Sequence, residues 1–328
     1  MIDRRQLLRV LGAASFALAG TAMAQSAYPD RSIRMVVPFT PGGALDTVAR
    51  AVAPIASERL GQQVVIENRP GGFTIIGSDM VAKAAPDGYT LLFAPAPIAM
   101  NTALGLKLPY DPMKNFEYVT LVARIPGIVV VHPSVPVKNL KELVDYARRE
   151  SAEKGGFQYG TAGVGTMGHL LGEHFFTQIG AKPVHIGYKG SAPALQDLIG
   201  GQVKVIIDAY IPSGPQILSG RARGLAIATT KRSPVLPDVP TFAEAGFAGF
   251  EAYGFYGVAA PAGTPRAVID KLYAAFVAAT TDRKVRATLV SSGYEVIASS
   301  PAEYRTFVQK QIDLWTPVVK KSNIKVEQ

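Results

Sequence analysis

The stretch Val36-Val37-Pro38-Phe39-Thr40-Pro41-Gly42-Gly43-Ala44-Leu45-Asp46-Thr47 constrains this chain more than any other. Ile33, Met35, Val36 and Val37 read as a buried strand, and two prolines with a Gly-Gly pair then break it. Leu45, Val48, Ala49, Val52 and Ile55 follow at helical spacing. A strand that passes through a glycine turn into a helix leaves several N–H groups without intrahelical partners. Gly42 and Gly43 clear side chains from those donors, and the helix dipole adds positive character. That is chemistry for holding a carboxylate or phosphate without a basic side chain. Phe39, Thr40, Pro41 and Asp46 belong to the same candidate site. The alternative is a tight βα turn in which Phe39 wedges the loop and Asp46 is a first-turn acid favoured by the dipole.

The unit repeats. Gln63–Asn68 reads as a strand, 77–85 as a helix and Tyr89–Phe93 as a strand, which implies a mostly parallel sheet with right-handed crossovers. Such sheets place ligands beyond the carboxyl ends of their strands, where Phe39–Ala44 and the loop Ala94-Pro95-Ala96-Pro97 arrive together. Strands are expected at Val119–Ala123 and Ile128–His132, with Pro126-Gly127 between them as the place where the chain crosses into another domain. Asn139 is expected to cap helix 140–150. Phe157–Gly160 is a short strand, and a second glycine cluster, Gly160-Thr161-Ala162-Gly163-Val164-Gly165-Thr166, opens a helix that carries His169. A third turn, Tyr188-Lys189-Gly190-Ser191, opens another, and strand 203–208 ends on Asp208 and is followed by Ala209-Tyr210-Ile211-Pro212. Thr264 is expected to cap helix 266–279 with Pro265 at its first position, and helix 303–320 closes the chain.

Gly163-Val164-Gly165-Thr166-Met167-Gly168 matches the dinucleotide pattern G-x-G-x-x-G between a strand and a helix. The next strand, 183–188, ends in Lys189-Gly190 and lacks the acid that should hold a ribose hydroxyl. What survives is a second helix N-terminus cleared of side chains, with Thr161 and Thr166 offering hydroxyls.

Composition sets the limits of these readings. A chain of 328 residues, 48% hydrophobic, has room for two domains with two cores. The net charge of +9 favours anions, but Lys and Arg are scattered and no basic run carries interleaved aromatics, which argues against nucleic acid. Arg4, Arg5 and Arg9, the apolar run Val10–Ala19 and Ala22-Met23-Ala24 read as an export signal cleaved after Ala24, leaving Gln25 first. Arg4-Arg5-Gln6-Leu7-Leu8 also resembles a twin-arginine signal, and the export route stays open. With Cys 0, an exported chain depends on its hydrophobic cores and has neither a disulfide framework nor thiol chemistry.

In their order along the chain these motifs resemble the Bug-type extracytoplasmic solute-binding receptors of tripartite tricarboxylate transporters. The resemblance rests on Pro38-Phe39-Thr40-Pro41-Gly42-Gly43 with Asp46, Glu67-Asn68-Arg69-Pro70-Gly71, Ala85-Pro86-Asp87-Gly88-Tyr89 and Leu108-Pro109-Tyr110-Asp111-Pro112. It continues through Gly160–Thr166 with His169-Leu170, Tyr188–Ala194, Leu236-Pro237-Asp238-Val239-Pro240-Thr241 and Ala260–Pro265. It implies an α/β periplasmic binding protein of type II-like, two-lobed architecture, each lobe a mostly parallel sheet flanked by helices. Residues 25–124 with 250–328 would form one lobe and 125–249 the other, with a carboxylic acid closed between them and membrane permease subunits as partners. Where the family has small residues after its Asn-Arg-Pro-Gly turn, this chain has Gly72-Phe73-Thr74-Ile75-Ile76, and where it has Ser or Thr after the third strand, Ala94-Pro95-Ala96-Pro97. Both departures make the expected cleft more apolar than citrate would favour.

Catalysis has little support. No cysteine nucleophile and no G-x-S-x-G elbow is present. His169 and His174 lie five apart on one helix and diverge, so they cannot share a metal, and neither metal nor cofactor is expected. His169 is either a structural hydrogen-bonder or a ligand contact, and Asp208 either accepts a hydrogen bond from a ligand or caps a neighbouring loop. The chain thus reads as a monomeric receptor for a small organic carboxylate. Two alternatives stay open: a receptor that reports to a sensor kinase, and an exported enzyme with Asp46 or Asp208 as base.

Overall fold

The computed structural model describes residues 28–326, so the export segment read at 1–24 lies outside the described residues. Strand β1 (Ile33–Val37) leads through the Gly42-Gly43 turn into helix α1 (Ala44–Leu60), as its pattern dictates. Then come β2 (Val64–Asn68), a 3-10 turn (Gly72–Thr74), α2 (Ile75–Ala82), β3 (Thr90–Pro95) and α3 (Pro97–Ala103). Strand β4 (Phe116–Val131) follows, and after it α4 (Leu140–Lys154), β5 (Phe157–Thr161), α5 (Met167–Gln178), β6 (Pro183–Gly187) and α6 (Ser191–Ile199). Strand β7 (Val205–Ala209), α7 (Tyr210–Leu218), β8 (Arg223–Ile227) and β9 (Tyr253–Pro261) lead to α8 (Arg266–Thr281), α9 (Arg283–Ser291), β10 (Glu295–Val296) and α10 (Pro301–Lys321).

The strands run in the order β2-β1-β3-β9-β4-β7-β5-β6, with β8 and β10 also paired to β4. This ribbon has two halves. In one, β2, β1 and β3 are parallel, and β9, β4 and β10 are antiparallel additions. In the other, β6, β5 and β7 are parallel, and the end of β4 pairs antiparallel with β7 and β8. Each lobe is thus parallel at its outer edge and antiparallel where the lobes join.

One strand of 16 residues stands where the sequence suggested two. Pro126 reads as a breaker because it cannot donate to a ladder. Here it sits where β4 changes partner: Pro126 pairs with Tyr253 of β9, and Gly127 already pairs with Ala209 of β7. Gly127 is required by packing, since a Cβ there would lie 2.7 Å from the Met167 sulfur. A second crossing runs beside it, with Gly127 N–H donating to Ala252 O (2.9 Å) and Ala252 N–H to Ala228 O (3.2 Å).

Other boundaries moved for local reasons. Asn139 caps α4 as expected, accepting from Glu142 N–H at 2.9 Å. Thr264 does not cap α8: its hydroxyl donates to Pro261 O (2.7 Å), and Pro265 occupies the cap position, not the first turn. Helix α7, not read from the sequence, accommodates Pro212 in its first turn, where no donor is needed. Helix α9, unread in the sequence, is capped by Asp282, which accepts from Lys284 N–H (2.9 Å) and Val285 N–H (3.1 Å).

Candidate functional site

A cleft of about 990 Å³ opens between the two halves of the sheet. From the β1–β3 side it is lined by Phe39 and Thr40 of the β1–α1 loop, the Gly71–Thr74 turn, and Ala96, Met100 and Leu104 around α3. From the other side come Ala162–Gly168, Tyr188–Gly190, Asp208 and Ala209. Ile125 of β4 and Tyr256 of β9 line it where the lobes join, and Lys325 and Val326, after α10, line it as well.

The β1–α1 loop is shaped by Asp46. Its carboxylate accepts from Gly42 N–H (2.9 Å), Arg50 Nε (2.8 Å) and Asn68 Nδ2 (2.9 Å), and Asn68 also holds Phe39 O (3.0 Å). The Arg50 hydrogen bond, followed by those from Gly42 and Asn68, outweighs burial and brings the Asp46 pKa down to about 2. This corrects the placement of Asp46: it is buried beneath the loop and does not line the cleft. Nor do Pro41, Gly42 and Gly43 line it, and the Gly42 N–H is not a free donor because Asp46 takes it. Gly43 caps α1 with an ordinary extended backbone (φ −73°), and among the described residues the N–H groups of Ala44 and Leu45 have no acceptor.

The β5–α5 loop is tied just as closely. Thr166 caps α5, and its hydroxyl also donates to Gly163 O at 2.7 Å. Gly165 N–H donates to His169 Nδ1 at 3.0 Å, so that nitrogen carries no proton. His169 stacks on His185 with ring centroids 3.7 Å apart, and His185 Nε2 lies 2.6 Å from the Thr161 hydroxyl. Burial, and for His169 also its neighbour His185, lowers the two pKa values to about 3 and about 4, so both rings are neutral. His169, Thr161 and Gly160 are therefore the support behind the loop and do not line the cleft; Ala94, fully buried in β3, does not either. His174, on the same helix, faces Phe250 (4.9 Å) and away from the pair, as their spacing requires.

Ala162, Gly163, Gly165 and Thr166 do line the cleft, as do Phe39, Thr40, Ala96, Tyr188 and Asp208. Gly163 takes φ +143°, and a Cβ there would sit 3.0 Å from Tyr188 O. Gly168 lets the start of α5 approach β7, since a Cβ there would lie 2.1 Å from Ile207 O. Among the described residues the N–H groups of Met167 and Gly168, both on the cleft wall, have no acceptor. The Tyr188 hydroxyl donates to Asp197 (2.8 Å), and burial with that carboxylate pushes its pKa up to about 12.

Sequence reasoning missed Thr74 of the 3-10 turn, Met100 and Leu104 around α3, and Ile125 and Tyr256, which reach the cleft only because β4 and β9 cross its floor. One signal was available. Phe39, Phe73 and Val164, each more than 39% exposed, all line this one cleft, and such clustering marks an interaction site. Lys189 and Lys325 line it too, exposed and with no ion pair among the described residues.

Comparison with known proteins identifies the family. Residues 48–324 match the family described as tripartite tricarboxylate transporter family receptor. Protein BugT of Bordetella pertussis is 36% identical over 330 residues, covering 99% of this chain and 100% of that protein. The structure of the periplasmic binding protein BugD is similar at a TM-score of 0.74 and 36% identity, covering 92% of this chain and 100% of that one. The R. palustris protein Rpa4515, solved with adipate, gives a TM-score of 0.77 at 37% identity, covering 91% and 99%. MatC from Rhodopseudomonas palustris, with bound malate, gives 0.74 at 33%, covering 89% and 100%.

Proposed function

Because this chain belongs to the tripartite tricarboxylate transporter receptor family, we propose that it is a periplasmic receptor which closes its two lobes over an organic carboxylate and presents it to a membrane permease. The observation that carries this reading is the pairing, across one cleft, of the Thr40 loop with the glycine-cleared start of α5. Helix α5 begins at the cleft wall with the Met167 and Gly168 N–H groups, which lack acceptors among the described residues, and its dipole favours an anion there. The lobes are 25–124 with 250–328, and 125–249, and the hinge is the pair of crossings at Pro126-Gly127 and Ala252. Closure withdraws the bound carboxylate from water, where hydrogen bonds to an ionised group strengthen. The mature protein begins at Gln25, acts as a monomer, uses no cofactor and does no chemistry on its ligand.

The walls favour a longer or aromatic acid. Phe39, Phe73, Met100, Leu104, Ile125 and Val164 present apolar surface to the cleft. Each methylene buried there is worth about 0.8 kcal/mol. Adipate and benzoate are expected to raise the melting temperature more than citrate does in a thermal-shift screen. A larger shift with citrate overturns this choice of ligand class, and the absence of binding by every acid in calorimetry overturns the receptor reading. Purification of membrane subunits with the loaded protein separates a permease partner from a sensor kinase.

A further inference from the structure

Two polar atoms on opposite walls of the cleft are buried and unpartnered. Asp208 is 4% exposed, and one of its carboxylate oxygens accepts from Ala209 N–H at 2.7 Å. The other, Oδ2, has no hydrogen-bond partner among the described residues, although the residue lines the cleft. Thr74, on the facing wall, is 5% exposed and lines the same cleft, and its hydroxyl is also unpartnered. A buried carboxylate oxygen left without a donor is costly, and such groups in folded proteins ordinarily have one. No Lys, Arg or His pairs with Asp208, and no group of acidic and His side chains that could hold a metal occurs among the described residues.

We infer that Asp208 and Thr74 select ligands which carry a hydroxyl or amino group besides the carboxylate, with Asp208 Oδ2 accepting from that donor. This rests on the receptor reading and adds the ligand's second functional group. Asp208 sits at the end of β7, beside the start of α5: its Cα lies 3.4 Å from where a Gly168 Cβ would be. An acid held by the free N–H groups of Met167 and Gly168 therefore brings its neighbouring carbons to Asp208. Burial raises the Asp208 pKa from its ordinary value against the opposing hydrogen bonds of Ser191 and Ala209 N–H, and in its ionised form the carboxylate can only accept. The Thr74 hydroxyl both donates and accepts, so it complements a ligand hydroxyl from the other side. Thr74 and Phe73 are held there in left-handed backbone (φ 74° and 53°), with Asn101 Nδ2 donating to Phe73 O at 2.8 Å. Two adjacent non-glycine residues in that region are strained, as expected of a turn kept for its side chains.

Matched acids test this by titration calorimetry on the full mature chain: benzoate against 3- and 4-hydroxybenzoate, and adipate against 2-hydroxyadipate and 2-aminoadipate. At least one donor-bearing acid should bind about tenfold or more tighter than its parent, the effect of one hydrogen bond to a charged group. Asp208→Asn keeps the acceptor for Ala209 N–H and should erase that preference, bringing the affinity ratio of donor-bearing acid to parent acid to about one. Thr74→Val, made in the otherwise wild-type chain, should reduce the preference without erasing it. Equal binding within every pair overturns the inference and leaves the receptor reading intact. A preference that survives Asp208→Asn assigns the donor elsewhere and overturns it as well. Failure of every acid to bind overturns both.

Discussion

Gly43 and Gly163 look equivalent in the sequence, each in a glycine cluster ahead of a helix, and the structure separates them. Gly43 has ordinary φ, and a Cβ there would meet only Thr40 O at 3.5 Å. Gly163 holds φ +143° with 3.0 Å to Tyr188 O, a backbone that side chains rarely adopt. Gly163→Ala is therefore expected to lower affinity for the best acid by tenfold or more, and Gly43→Ala by less than threefold, in titration calorimetry. Equal losses would mean that the backbone of the β5–α5 loop does not hold the ligand. Asp46 is the other residue whose role changed between sequence and structure. Its first-turn position was legible, but Asn68 lies in another strand, and only the β1–β2 pairing, which sets Val37 opposite Asn68, shows that the acid organises the loop instead of meeting the ligand.

At the scale of elements, two clusters of titratable groups brace the two loops, and they lose their stabilising effect at different pH. Asp46 has its pKa depressed from 3.8 to about 2, so its contribution is complete above pH 4 and is lost as pH falls from there toward 2. The shift corresponds to about 2 kcal/mol. The histidine pair also has depressed values, about 3 and 4 against 6.5, but for a base this means that the unfolded chain takes up protons first. Stability from the neutral stack is thus present above pH 6.5 and declines as pH falls from 6.5 toward 4. Urea midpoints at pH 7, 5 and 3 should show wild type losing stability relative to His169→Gln/His185→Gln between pH 7 and 5. The loss relative to Asp46→Asn should come only between the pH 5 and pH 3 readings. A parallel decline in all three proteins would show that these groups do not titrate as buried partners.

At the scale of the whole molecule, the two-lobed α/β plan was legible because strand, glycine turn and helix repeat with little variation. The cleft floor was not legible, because Pro126 carries a breaker's signature in a place where the ladder changes partner anyway. Nor does the sequence show contacts between lobes such as that of Gly293 with Tyr210. Gly293 lies just before β10, and a Cβ there would sit 1.9 Å from the Tyr210 ring at the start of α7. Gly293→Ala is expected to prise the lobes apart at this point, weakening binding of the best acid about threefold or more. Small-angle scattering of the loaded variant should give a larger radius of gyration than loaded wild type, and identical scattering with unchanged affinity would show that Tyr210 moves aside freely.

The shared strand β4 also sets an order of assembly. The strands of the 125–249 segment pair with one another and with the end of β4 across short connections. On the other side Leu92 must find Ala259, and β4 must find β9, only after that whole segment has been made. Closing so long a loop costs entropy that local pairing does not repay until β9 docks. A chain emerging from its N-terminus therefore exposes β1–β3 longest, and the half that carries the Thr40 loop is the last to become native. The receptor acquires its second jaw only when its C-terminal quarter arrives.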